Sequence, residues 1–361
     1  MAIPSTRSNR DNTFDFLRLF AAIVVVVAHA QVEISAPFLW GGSQLFDGVG
    51  IFFIISGMLV WKSAESTYRR TGKWSDFFLN RFLRVAPAVY VFAVAAPLVM
   101  VAVGAIALAK LMNFQIVVWL GSTLALLPNY HPQIWANFGT INGQLYTIPA
   151  EISYYLVIPL AFMVAKRFGF NTMLIAFAAL AIVGPIIGYA MGGVVQNAFH
   201  HTFIERAGFF VAGVFWAKYW GRVPAKWWIF AVALAVYLAE KIFFLSVTRF
   251  EAISPLLLAI PLSYAVVFFG YRGPRILTAI TKHLGDLSYG TYIWHALVVV
   301  AFVWFGWIGQ WWQVLAILLI SLTIAQLSWR LVEKPMLSLK RVSSHPTSKQ
   351  PVSAPLEKQR L

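Results

Sequence analysis

Ten apolar runs of near-membrane length determine what this chain can fold into. A hydrocarbon core about 30 Å thick accepts only segments that satisfy their own backbone polar groups, and a helix does so. With 60% apolar and 11% charged residues, the sequence predicts an all-α, polytopic membrane helix bundle. The runs are Phe14–Ala30, Leu45–Trp61, Pro87–Ala109, Leu145–Ala165, Thr172–Ala190, Phe203–Ala217, Trp227–Leu245, Pro255–Gly270, Tyr289–Ile308 and Trp311–Leu331.

The distribution of positive charge predicts how these runs are oriented. With the N-terminus inside and each run crossing once, the inner segments contain 22 of the 28 Lys and Arg residues, and the outer segments contain three, Lys110, Lys241 and Arg249. Basic residues accumulate on the cytoplasmic side of membrane proteins, so about ten spans with both termini cytoplasmic are expected. Topology and contact with anionic membrane lipid then explain the formal net charge of +15, and no nucleic-acid partner is expected.

Three further features complete the predicted organisation. Gln115–Leu127 is short for a crossing and is expected to be a re-entrant or interfacial piece of an outer loop, Lys110–Gln144. Residues 1–13 should form a cytoplasmic segment without a secretory signal pattern, residues 14–341 the membrane domain, and residues 342–361 a disordered tail. Cysteine is absent, which excludes thiolate metal sites and cysteine nucleophiles. Neither a metal nor a permanently bound cofactor is expected.

The first run contains two residues that are costly in a membrane. Arg18 and His29 are eleven residues apart, so on a helix they share one face and lie about 16 Å apart along its axis. Charged and titratable groups within a span by default indicate a pathway or a reaction centre. Arg18 has a structural alternative, an ion pair with Asp15 three residues away. His29 precedes Glu33 by four residues, so that carboxylate could orient it.

Two other segments contain candidate charged groups. Arg81 and Arg84 present two guanidinium groups at the start of a run, an arrangement suited to bidentate phosphate recognition. Flanking a span is the routine alternative for such residues. Glu151 lies near the start of another run among aromatic residues, where a carboxylate needs a raised pKa, a basic partner or a polar cavity. A salt bridge to Arg18 or Arg206 is its structural alternative.

The remaining candidates come from three short motifs. His295 lies one to two turns inside a run that follows a glycine-bounded turn, and Glu333 precedes Lys334-Pro335, where it could simply end the last helix. The small residues of another motif favour close helix packing in lipid. One of them, Ser56, has a hydroxyl that could contact substrate or act as a nucleophile, although no nucleophile-elbow pattern surrounds it. These small residues are Gly48, Gly50, Ser56 and Gly57.

Taken in order, these motifs resemble the membrane-bound acyltransferase 3 family, which acylates bacterial surface and secreted glycans. The matching motifs span about residues 14–341. They are Phe14-Asp-x-x-Arg-x10-His29, Phe52-Phe-x-x-Ser-Gly57, Arg81-x-x-Arg84, Glu151-x-x-x-Tyr155-Leu-x-x-Pro159, Leu287-Ser-Tyr-Gly-x-Tyr-x-x-His295 and Glu333-Lys-Pro335. Two positions depart from the family pattern: Gly50 stands where relatives often have Asp, and Tyr146 where they often have Trp.

The resemblance implies an acyl-CoA donor, often acetyl-CoA, and a carbohydrate or lipid-linked glycan acceptor at the bacterial cytoplasmic (inner) membrane. It implies functional roles for Arg18, His29, Arg81 and Arg84, and Glu151 matches the family's acidic position. We expect Arg81 and Arg84 to bind the donor, and Arg18 to bind donor phosphate or to stabilise the developing oxyanion. His29 is expected to act as general base, with Glu151 orienting or charge-balancing its imidazole. His295 and Ser56 are expected to contact substrate. A glycan transporter or flippase and a non-enzymatic membrane partner are the alternatives.

Overall fold

The computed structural model describes residues 12–37, 44–127, 132, 141, 143–193, 204–246 and 254–340, and it confirms an all-helical bundle. Every predicted run corresponds to a helix. The helices are α1 (Phe14–Glu33), α2 (Gly48–Thr71), α3 (Trp74–Ala102), α4 (Phe114–Leu124), α5 (Thr147–Phe168), α6 (Phe170–Met191), α7 (Ala207–Tyr219), α8 (Trp227–Ser246), α9 (Ser254–Arg272), α10 (Arg275–Leu284), α11 (Ser288–Trp304), α12 (Trp311–Ser328) and α13 (Lys334–Ser338).

Within the described residues, eight helices are individually long and apolar enough to cross a membrane. A ninth crossing is formed if α10 and α11 act as one broken span, since the two helices are bent by 65°. The remaining predicted run, Phe203–Ala217, overlaps α7, which has 13 residues and is short for a full crossing. The chain is therefore a multi-pass membrane protein with eight crossings among the described residues, or nine if the bent pair is one span.

Glycine packing brings α2 against two neighbours. A methyl group at Gly57 would overlap the backbone carbonyl of Phe210 in α7, and one at Gly48 would lie 2.5 Å from the carbonyl oxygen of Ala21 in α1. Close backbone approach through small residues is a common basis of helix association in lipid. The packing interpretation of the small-residue motif is therefore confirmed for these two glycines. A third contact, from Gly213 of α7 onto the Ile54 carbonyl, was not predicted.

The bend between α10 and α11 depends on one glycine. Gly285 has φ +83°, in the left-handed region that glycine adopts without steric cost, and an added Cβ there would overlap the Trp329 indole. α11 then runs beside α1 in the same direction. The segments that follow the two helices therefore meet, and the Gly309 backbone N–H donates to the Ile34 carbonyl at 2.8 Å. The bend therefore places Asp286 at the start of a helix that accompanies α1.

The predicted re-entrant piece is a short helix, α4, whose Trp119 is fully buried. Its N-cap residue Asn113 accepts a hydrogen bond from the Gln115 backbone at 2.9 Å. Most of the breaker-rich part of the predicted outer loop lies outside the described residues, as do residues 1–11 and the predicted tail at 342–361.

Candidate active site

A cavity that is partly open to the outside lies between α1, α2, α3, α5 and α11; its empty volume, about 620 Å³, includes the space at its open mouth. Four of the predicted site residues line it: Arg18, Ser56, Arg84 and Glu151. The hydroxyl groups of Thr147 and Tyr292, also in its lining, are hydrogen bonded to each other at 2.7 Å. The cavity therefore combines an aromatic wall with charged groups, and the charges are concentrated where Arg18 and Arg84 meet. We call that region the arginine end.

Asp286 connects the two arginines of the arginine end. Its Oδ2 lies 2.6 Å from Arg84 Nη2 and 4.0 Å from Arg18 Nη1, and its Oδ1 accepts from the Ser288 hydroxyl at 2.5 Å. Arg18 also lies 3.6 Å from Asp15, but Asp15 is 58% exposed, and ion pairs to exposed carboxylates stabilise little. Asp286 was not identified from the sequence, although its position in the glycine-bounded turn could have suggested it.

Two more cations belong to the arginine end. The Arg81 guanidinium lies 5.7 Å from the ring centroid of Phe77 and 5.6 Å from that of Tyr155. Lys340 lies just beyond α13, where burial and the positive charges of Arg84, Arg81 and Arg18 lower its pKa to about 8. Lys340 was also missed in the sequence, because nothing in its local pattern separates it from the basic residues near the predicted tail.

Glu151 lies at the arginine end and not beside His29. It accepts a hydrogen bond from the Tyr155 hydroxyl one turn later in α5, and its charge acts on Arg84. Within the described residues it forms no ion pair with Arg18 or Arg206. Arg206 instead pairs with Asp47, the N-cap residue of α2, at 2.8 Å. The expected orientation of His29 by Glu151 is therefore not what this geometry provides.

His29 contacts a different predicted site residue, His295. The His29 Nδ1 and His295 Nε2 atoms are 2.9 Å apart, and the rings stack with centroids separated by 5.1 Å. His295 is completely buried, and its Nδ1 lies 2.8 Å from the Tyr292 carbonyl oxygen. His29 itself is exposed. We call these two residues the histidine pair; Glu33 takes no part in it.

The remaining candidates occupy simpler positions. Ser56 lines the cavity one residue before the α2–α7 glycine contact, and within the described part of the chain it has no basic partner that would make it a nucleophile. Glu333 is buried in a π-helical turn, Trp329–Glu333, where it accepts from the Ser328 hydroxyl at 2.9 Å. It does more than end the last helix, because its carboxylate packs against α11 near Gly290.

Comparison with known proteins identifies the family. The family model described as an acyltransferase domain, Acyl_transf_3, matches residues 11–330. The chain belongs to the acyltransferase 3 family. This membership supports an acyltransferase and disfavours the transporter and the non-enzymatic partner. No solved structure matches the chain.

Three relatives show the range of proteins that the chain resembles. It is 28% identical to nodulation protein 10 of Rhizobium leguminosarum bv. viciae, over 92% of this chain and 95% of that protein. It is 26% identical to the exopolysaccharide production protein ExoZ of Rhizobium meliloti, over 75% and 80% of the two chains. It is 28% identical to an O-acetyl transferase of Shigella phage Sf6, over 49% and 54%.

Proposed function

We propose that this acyltransferase moves an acyl group, in the simplest case acetyl, from cytoplasmic acyl-CoA to a hydroxyl of a surface or secreted carbohydrate. The proposal rests on one observation. Cations cluster at one end of the cavity, around Arg18 and Asp286, and the histidine pair lies further along α1 and α11. The names of the relatives, an O-acetyl transferase and an exopolysaccharide production protein, support an oxygen acceptor on a glycan. The proposed location is the bacterial inner membrane, with both termini cytoplasmic.

The arginine end provides the features that an anionic donor requires. Its four cationic side chains are Arg18, Arg81, Arg84 and Lys340. Among the described residues, Asp286, Glu151 and Glu333 act on Arg84, and Asp15 acts on Arg18. Cations and carboxylates are thus equal in number, but Asp15 is 58% exposed and screened by solvent, so positive charge prevails inside the cavity. Guanidinium groups bind phosphate through paired N–H donors, and excess positive potential in a low-dielectric cleft concentrates anions. The CoA phosphates would bind here, and the pantetheine arm would extend along the cavity past Ser56 and Thr147.

The histidine pair provides the proton transfer. His29 Nε2 takes the proton of the acceptor hydroxyl as its oxygen attacks the thioester carbonyl carbon. The carbon–sulfur bond then breaks, and the leaving thiolate takes the proton back from His29, so the base is regenerated with each turnover. Arg18 and His29 are about 16 Å apart on α1, which matches an extended donor whose phosphates and thioester bind at different depths. In this proposal Glu151 balances charge at the arginine end.

The test is transfer of label from radiolabelled acetyl-CoA in sealed inverted vesicles, where the cytoplasmic face is exposed to the medium. We expect incorporation into vesicle glycan, and we expect H29A to lower it by about 10²–10⁴-fold, the usual cost of losing a general base. H283A is the matched control, because His283 is exposed and lies outside the cavity lining. Equal activity of H29A and wild type would remove His29 from the mechanism. Transfer only in right-side-out vesicles would contradict the cytoplasmic donor.

A further inference from the structure

The hydrogen bonds of the histidine pair determine which nitrogen of each ring holds a proton. His295 Nδ1 lies 2.8 Å from the Tyr292 carbonyl oxygen. A carbonyl oxygen can only accept, so Nδ1 of His295 must be the protonated nitrogen. In a neutral imidazole the other nitrogen then bears a lone pair, and His295 Nε2 is an acceptor. A doubly protonated His295 is disfavoured, because the residue is completely buried and a buried unpaired cation is costly.

The same reasoning extends to the next ring. His29 Nδ1 lies 2.9 Å from His295 Nε2, and since His295 Nε2 accepts, His29 Nδ1 must donate. His29 Nε2 is then unprotonated. It has no hydrogen-bond partner among the described residues, and His29 is exposed. Only this tautomer of His29 leaves a basic nitrogen without a hydrogen-bond partner on the exposed side chain, so that an acceptor hydroxyl can bind to it.

We infer that His295 is a positioning residue, which accepts the Nδ1 proton of His29 and so holds His29 in the tautomer and ring orientation that a general base needs. The inference rests on the proposed function. It assigns His295 a role in proton transfer in place of the substrate contact expected from the sequence. When His29 is protonated during turnover, its Nδ1–H still donates to His295 Nε2, whose ring is polarised by the Tyr292 carbonyl. The relay therefore also stabilises the imidazolium form.

The experiment compares three variants at one position by kinetics with labelled acetyl-CoA in inverted vesicles. In H295Q the side-chain amide oxygen can occupy the position of Nε2 and accept from His29. In H295N the shorter amide does not reach it, and H295A has no acceptor. We expect H295Q to retain most of the turnover. H295N and H295A should lower kcat by about 10–100-fold, less than the loss of the base itself. The donor KM should be unchanged in all three, because the phosphates bind at the arginine end.

Folding is checked by the thermal unfolding midpoint of each purified variant in detergent. If H295A does not fold, the comparison of H295Q with H295N decides. Equal activity of H295Q and H295N would overturn the inference, whether both are active or both inactive, because only one of them supplies the acceptor atom. H29A, measured in the same vesicles, separates the two proposals. An active H29A refutes the general base, whereas an inactive H29A with no difference between the His295 variants refutes only the positioning role.

Discussion

Replacing Arg84 with Ala should remove two interactions at once, and the structure allows them to be separated. Arg84 is bound to Asp286 at 2.6 Å, and both side chains are mostly buried, at 21% and 12% exposure. Arg84 also lines the cavity. A guanidinium has five N–H donors, so the bond to Asp286 leaves donors free for a phosphate group. Loss of donor binding and loss of the ion pair are therefore distinct consequences of R84A.

The two consequences have different expected magnitudes. A hydrogen bond to a charged group contributes about 1.5–3 kcal/mol, and about 1.4 kcal/mol corresponds to a tenfold change in affinity. R84A should therefore raise the donor KM by about 10–100-fold, with a smaller effect on kcat, because phosphate anchoring stabilises ground and transition states alike. It should also lower the free energy of unfolding by about 3–5 kcal/mol, because the buried Asp286 carboxylate loses its nearest partner.

A second variant, R84A/D286N, separates the two effects. The amide introduced by D286N keeps an oxygen that can accept from Ser288, and it removes the carboxylate that R84A would otherwise leave uncompensated. We expect the thermal unfolding midpoint in detergent to recover relative to R84A, while the donor KM, measured with labelled acetyl-CoA in inverted vesicles, stays raised. D286N alone serves as the reference for any change caused by the amide. A wild-type donor KM in R84A/D286N would show that Arg84 serves only to neutralise Asp286.

Three shorter predictions concern charge, packing and topology. Because the pKa of Lys340 is about 8, its cationic form is lost as the pH rises through that value, so the wild-type donor KM should rise above about pH 8. The donor KM of K340Q should be higher at pH 7 and nearly flat with pH; a parallel rise in both proteins would exclude Lys340. G57A should lower the free energy of unfolding by about 1–3 kcal/mol through overpacking against α7. G121A, where an added Cβ meets nothing within 4 Å, should not lower it, and equal effects would contradict the packing argument. An impermeant thiol reagent applied to intact cells with a permeabilised outer membrane should label K110C but not K73C, and the reverse pattern would place the donor site outside.

The positions of the helices and most of the cationic site candidates could be predicted from the sequence, because both depend on local patterns. Hydropathy located the spans, and a three-residue spacing identified Arg81 and Arg84. The spacing of Arg18 and His29 along α1 was equally predictable, since a single helix fixes it.

Partners that come from distant parts of the chain were not predictable in this way. Asp286 is 202 residues from Arg84, and His295 is 266 residues from His29. Helical periodicity contains no information about which helix packs beside which. The expected partner of His29 was therefore Glu151, because a carboxylate is the common orienter of a histidine. The partner in the structure is instead the buried imidazole of His295, and this could be recognised only once α11 was seen to pack beside α1.

The parallel packing of α1 and α11 explains how the two halves of the site are held in register. Arg18 and His29 are eleven residues apart on α1, about 16 Å along its axis. Asp286 lies two residues before α11, and His295 lies within α11, nine residues after Asp286. Each residue of one pair contacts its counterpart in the other, at 4.0 Å for Arg18 with Asp286 and 2.9 Å for His29 with His295. Because both contacts join the same two chain segments, a movement of α11 relative to α1 would alter both of them. The separation between the proposed phosphate-binding cations and the proposed base is therefore set by the packing of α11 against α1, and the proposed donor has to be long enough to bridge it.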